Sequence, residues 1–143
     1  MKQVMMLLLV VVAGTSLAME AAFVGPLGEK IGHFSATFSI FLIGSLLSTL
    51  ALIVLKRNSF ATLLKQPRWL FMGGVLGPAY VIVLTIATPL VGVGITIVGI
   101  LSGQIFASLL IDHFGLLGSE RRAIDIYRVS ALMLILIALW LIY

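Results

Sequence analysis

Residues 69–111 read WLFMGGVLGPAYVIVLTIATPLVGVGITIVGILSGQIFASLLI, 43 residues without a charged side chain. A membrane-crossing helix takes about 20 apolar residues. The run is therefore too long for one helix and right for two joined by a tight turn. Thr88-Pro89-Leu90-Val91-Gly92 is the natural turn, because proline and glycine punctuate there. Outward from this run the pattern recurs. Phe34 to Leu55 carries no charge, Val4 to Val24 carries only Glu20, and a last apolar stretch runs from about Tyr127 to Tyr143. The sequence predicts an all-α membrane protein with five transmembrane helices. The spans are about 4–24, 34–55, 69–88, 91–111 and 127–143, in a single transmembrane domain over 1–143.

Composition agrees. The chain is 62% hydrophobic and 10% charged, with a mean hydropathy of +1.26. A soluble domain is about half apolar and about a quarter charged, so soluble enzymes, disordered tails and disulfide scaffolds are excluded. No cysteine is present, hence no disulfide, thiol nucleophile or thiolate metal site. Membrane β-strands alternate in polarity over about ten residues. These runs are longer and do not alternate, and in lipid they satisfy their amides as helices. Lys2, Val4 to Val12 and Ser16-Leu17-Ala18 also fit a cleavable signal peptide. Against that reading, the apolar stretch continues through Phe23 and Val24.

Lys and Arg in short loops set orientation. With five spans, one side carries Lys2, Lys56, Arg57, Lys65, Arg68, Arg121, Arg122 and Arg128, and the other only Lys30. The N-terminus is expected in the cytoplasm and the C-terminus outside. Trp69 and Tyr127 then fall at the inner interface, Trp140 and Tyr143 at the outer one. The net charge of +4 becomes a topology signal, and nucleic acid is not an expected partner. The loop from Lys56 to Arg68 mixes basic residues with Phe60, Leu63 and Leu64, which fits a short helix lying in the headgroups. No internal repeat is evident.

Helices in lipid associate through close backbone packing at small residues. Span four presents Gly92, Thr96, Gly99, Gly103 and Ala107 on one face. Span three offers Gly73 and Gly77, span two Thr37, Gly44, Ser48 and Ala51, and span one Gly14, Ala18, Ala21 and Gly25. Pro78 is expected to kink span three or free a carbonyl.

The polar groups inside the spans are few. Glu20 is an acid in a span, lying about 24 Å along from Val4 at roughly 1.5 Å per residue. Intramembrane carboxylates usually face a cavity or partner. Ser16 shares its stripe. Glu20 is a candidate for binding a proton or substrate; a carboxylate reaching the headgroups, paired with Lys30, is the structural alternative. Gln104, after Ser102-Gly103, must find hydrogen-bond partners, from a helix, water or ligand. Asp112 at the end of span four is expected to pair with Arg121 or Arg122, and Thr85, Thr88 and Thr96 to bond back to their own helices. His33 and His113 fall on opposite sides of the membrane, and no HExxH, GxSxG or phosphate loop occurs. Enzyme chemistry, a metal and a cofactor have no support.

These residues resemble the YdcZ-type proteins, five-helix members of the drug/metabolite transporter superfamily. The resemblance rests on Ala13-Gly14 through Glu20 to Leu27-Gly28 and Ile31-Gly32, and on Ile43-Gly44-Ser45. It continues in Trp69 with Gly73-Gly74-Val75-Leu76-Gly77, in Ser102-Gly103-Gln104, in Leu110 to Leu116, and in Arg121-Arg122. It covers nearly the whole chain in order. It implies half of an inverted-repeat transporter fold in a bacterial-type inner membrane, and an exporter of small organic molecules. Such a half works by alternating access in an antiparallel dimer. Glu20 stands where the family commonly has glutamine. Related small multidrug proteins couple export to protons through a first-helix glutamate. The charge bias of eight to one favours a separately encoded inverted partner, with a homodimer as the other reading. The competing function is a non-transporting membrane subunit that supports a partner protein.

Overall fold

The computed structural model describes residues 2–55 and 66–143, and its described elements are all helices. They are α1 (Lys2–Ile31), α2 (His33–Val54), a 3-10 turn (Arg68–Met72), α3 (Gly73–Val91), α4 (Val93–Phe114), a second 3-10 turn (Leu116–Gly118) and α5 (Ile126–Ile142). The interfacial helix expected between Lys56 and Arg68 lies almost wholly outside the described residues. Four segments are long and apolar enough to cross a membrane: Lys2–Ile31, His33–Val54, Arg68–Val91 and Val93–Phe114. Helix α5 has 17 residues, the short end of the usual transmembrane range. The large apolar side chains point outward. Leu7, Val10, Phe34, Leu46, Val75 and Leu134 are all more than half exposed, a surface that suits lipid and not water.

The chain divides into two compact units, Met1–Leu90 and Val91–Tyr143. In the first, α1 runs on past the expected boundary at 24 to Ile31, through Pro26. Tertiary packing explains the extension. Gly28 reads as a loop residue in the sequence and Gly25 as the end of the small face of span one, and both are buried in α1 with Ala21 and Val24. A Cβ at Gly25 would stand 3.0 Å from Thr88 Cβ, and one at Gly28 would stand 3.0 Å from Thr85 Cβ and 2.8 Å from His33 Nδ1. Only glycine lets α1 and α3 approach this closely. Pro78 sits inside a continuous α3, where its missing amide leaves the Gly74 carbonyl without its helical donor. Pro89, placed in the expected turn, is also inside α3. The joint is a single residue, Gly92.

A duplication emerges that the sequence conceals. The residues buried in α1 are Ala21, Val24, Gly25 and Gly28, and those in α3 are Val81, Leu84, Thr85 and Thr88. Each stands sixty residues from its counterpart. Gly32 after α1 has φ 90° and ψ 143°, and Gly92 after α3 has φ 86° and ψ 158°. Both lie in a backbone region essentially restricted to glycine. The first buried residue past each joint is Ala36 or Thr96, again sixty apart. The contacts are crossed as well: Gly25 meets Thr88, and Gly28 meets Thr85. Crossed pairing of equivalent positions is what a local two-fold produces.

The small stripe expected at Gly92, Gly99 and Gly103 meets nothing within 4 Å in its own unit, and the same holds for Gly73. Gly77 packs against the Phe41 ring, which would stand 3.2 Å from an added Cβ. In the second unit α4 ends at Gly115, whose left-handed φ of 62° lets its amide cap the Ile111 carbonyl. Asp125 then caps α5, accepting from the Tyr127 amide.

Candidate functional site

The first unit carries a polar group at one end of the α1–α3 seam. Glu20 is half-buried on α1, one residue before the closely packed Ala21. Among the described residues it forms no ion pair. Tyr80 on α3, sixty residues on, is the counterpart of Glu20 under the local two-fold. It too is half-buried. Its hydroxyl oxygen is buried and, among the described residues, has no hydrogen-bond partner. Buried polar groups are nearly always satisfied in native proteins, so this hydroxyl is an exception within the span. The sequence reading gave no role to Tyr80. The signal present was a phenol inside an otherwise aliphatic helix, two residues after Pro78.

Ser16, one turn before Glu20, is exposed and donates to the Val12 carbonyl at 3.1 Å. Its oxygen keeps an acceptor site on the stripe of Glu20. Gln104 belongs to the second unit and its side chain is exposed there. The threonines divide. Thr85 and Thr96 bond back to Ile82 and Gly92 at 2.7 and 2.8 Å. Thr88 departs from the expectation, because its Oγ1 is buried without a partner. The unpartnered His33 Nδ1 lies further along the same seam, against Gly28. Ala21, Val24, Val81 and Leu84 are almost fully buried and make this part of the first unit apolar.

The second unit holds a charged cluster at the end of α4. Asp112 was expected to pair with Arg121 or Arg122. Its partner is Arg128 on α5, with Nη1 2.8 Å from Oδ2. Gly115 and Leu117, both with positive φ, turn the chain so that the first turn of α5 comes back beside Asp112. Ser119 Oγ donates to Oδ1 at 3.1 Å, and the Arg122 amide donates to the Asp112 carbonyl at 2.8 Å. Arg121 instead donates from Nε to the His113 carbonyl at 3.2 Å, and Arg122 reaches Glu120 at 3.8 Å on the surface. Asp112 and Arg128 also border a cavity of about 330 Å³ with Ile105, Ser108, Leu109 and Ala131. This cluster ties loop 115–125 to both helices and is structural. Asp112→Asn keeps the shape and releases Arg128. Amides of residues 115–125 are then expected to exchange hydrogen faster than in the parent protein; unchanged exchange would show that the pair does not hold the loop.

Among the described residues no group of three His, Cys, Asp or Glu side chains is placed to hold a metal ion. No curated protein and no solved structure matches the chain. One family does, over residues 5–141, under the description "Putative inner membrane exporter, YdcZ". That match spans all five helices and the seam with its acid and phenol, and the chain is a multi-pass membrane protein belonging to the DMT_YdcZ family.

Proposed function

We propose that the protein is a secondary transporter that exports small organic solutes across the inner membrane by alternating access, coupled to protons through Glu20. The observation that carries the reading is Glu20 itself. It is a half-buried carboxylate that forms no ion pair among the described residues, on an apolar helix, in a chain of an exporter family. A carboxylate in such a place is costly and is retained for work. Deprotonated, it attracts an organic cation; protonated, it releases one. Gln104 and Ser16 are further polar groups proposed for the transport path. The protein holds no cofactor and is not an enzyme in this reading.

The functional unit is an antiparallel pair with an inverted second subunit. A separately encoded homologue is preferred to a second copy, because eight basic residues lie on one side and one on the other. The N-terminus is cytoplasmic and the C-terminus outside. The small residues of α4 support a partner, since Gly99 and Gly103 face no side chain within their own unit. Gly99→Leu with Gly103→Leu is expected to leave the subunit folded and abolish co-purification with its partner. Full retention of the pair would remove α4 from the interface.

Proteoliposomes of the assembled pair test the function. With an acidic lumen and a neutral exterior, uptake of a lipophilic organic cation is expected to exceed that of protein-free vesicles and to vanish when the gradient is collapsed. Uptake equal to that of empty vesicles would contradict the reading.

A further inference from the structure

We propose that the cleft between α4 and α5 is a lipid site, which seats one phospholipid whose headgroup carries a phosphate and a primary ammonium, the chemistry of phosphatidylethanolamine. The site is built wholly within the second unit and stands whether or not Glu20 couples transport to protons.

The cavity of about 330 Å³ is lined by Ile105, Ser108, Leu109, Asp112, Arg128 and Ala131. Its two ends differ. Asp112 and Arg128 stand at the end of α4 and the start of α5. Ile105, Leu109 and Ala131 lie deeper, with Ile105 about 10 Å along α4 from Asp112 at roughly 1.5 Å per residue. A charged mouth above an apolar shaft fits a headgroup above an acyl chain. Ser108 and Ala131 are exposed, so the cleft is open at the surface of the helix pair. At 3.6 residues per turn the cavity residues lie roughly 160° around α4 from the stripe of Gly92, Thr96, Gly99 and Gly103, so a partner seated on that stripe leaves the cleft to lipid. Charge then selects the headgroup. Residues 112–128 hold three arginines, Arg121, Arg122 and Arg128, and three acids, Asp112, Glu120 and Asp125. The mouth is dipolar and not basic, which complements a headgroup that is itself dipolar and neutral. Arg128 gives Asp112 a hydrogen bond from Nη1 at 2.8 Å, and Ser119 gives it a second at 3.1 Å. A guanidinium has about five N–H donors and a carboxylate about four lone-pair sites, so both groups keep capacity. The pair is also open to a ligand, with 41% of the Arg128 side chain and 29% of the Asp112 side chain exposed. A phosphate takes the remaining guanidinium donors, and a primary ammonium donates to the Asp112 carboxylate. A choline headgroup has no N–H to give, and a glycerol headgroup has no cation.

Native mass spectrometry of the full-length protein with dioleoyl lipids of defined headgroup tests this. The parent protein is expected to retain one phosphatidylethanolamine about tenfold more tightly than phosphatidylcholine or phosphatidylglycerol with the same chains. Ala131→Leu fills the apolar shaft and leaves Asp112 and Arg128 in place. It is expected to abolish that preference while the amides of residues 115–125 exchange hydrogen as in the parent protein. Ser108→Leu fills the cleft from the α4 side, and because the Ser108 hydroxyl bonds only to the Ile105 carbonyl of its own helix, it strands no partner; it is expected to act in the same way. Equal retention of the three lipids by the parent protein overturns the proposal, since that is the behaviour of bulk lipid around the helices. A preference that survives both variants overturns it too, because the lipid then sits elsewhere. Glycerophosphoethanolamine, the headgroup without its chains, separates a lipid from a soluble phosphate ester. Binding as tight as that of the lipid overturns the lipid assignment, and weaker binding supports it.

Discussion

Glu20→Gln is expected to yield a folded protein whose solute flux no longer responds to a pH gradient. Glutamine has nearly the shape of glutamate and keeps hydrogen-bonding capacity, but it neither titrates nor carries charge. Glu20 is half-buried and forms no ion pair among the described residues, so the substitution strands no opposite charge there and the fold should survive. Removing a carboxylate from an apolar helix lowers the cost of inserting it, and thermal stability is expected to hold or rise. Gradient-driven flux is expected to fall to that of protein-free vesicles. The measurement is the proteoliposome assay above, with a melting curve on the same sample. Undiminished pH-dependent flux in the variant would place the coupling group elsewhere.

Gly28→Val is expected to give the largest loss of stability of any single substitution considered. Its first added carbon already meets His33 Nδ1 at 2.8 Å and Thr85 Cβ at 3.0 Å. Thr85 is fully buried and its hydroxyl is bonded to Ile82, so it has little room to move. Overpacking a close contact typically costs about 1–3 kcal/mol, and valine adds two methyl groups beyond the carbon that already collides. Gly32→Ala makes a companion test by a different mechanism. No side chain crowds an added Cβ there, yet the backbone at φ 90° and ψ 143° is strained for an L-residue by about 1–3 kcal/mol. Reversible unfolding in mixed micelles reads both. Gly14→Ala, whose Cβ meets nothing, serves as the control and is expected to match the parent protein. A Gly28→Val protein as stable as that control would mean that α1 and α3 do not touch as described.

The membrane class and the helix positions were legible because charge is absent over long runs and returns in clusters. The 43-residue run splits at Gly92, within the turn read from Thr88 to Gly92, although Pro89 stays helical in the last turn of α3. The end of α1 was not legible. Gly25 was read as part of the small packing face and does pack against Thr88, but Pro26 and Gly28 carry the composition of a loop, and only the neighbouring α3 turns Gly28 into contact surface. The duplication was hidden because its paired positions exchange chemistry, Gly25 for Thr85, Gly28 for Thr88 and Glu20 for Tyr80. What repeats is burial and the two glycine joints, which are backbone properties. Glu20 stood out as a charge in an apolar span; Tyr80, uncharged and largely apolar, did not. The partner of Asp112 was assigned by proximity in sequence, and the left-handed turn at Gly115 brings the more distant Arg128 instead.

The most direct measurement uses the absence of native cysteine. Gly25→Cys with Thr88→Cys, expressed in native membranes and treated with a mild oxidant, reports whether the seam between α1 and α3 exists. A Cβ at position 25 would stand 3.0 Å from the Cβ of residue 88, near the separation of about 3.5–4.5 Å that a disulfide requires. The account predicts rapid intramolecular cross-linking of this pair and none between Gly14→Cys and Thr88→Cys. Failure of the first pair to cross-link while both thiols remain reactive, or equal cross-linking of the two pairs, would contradict it.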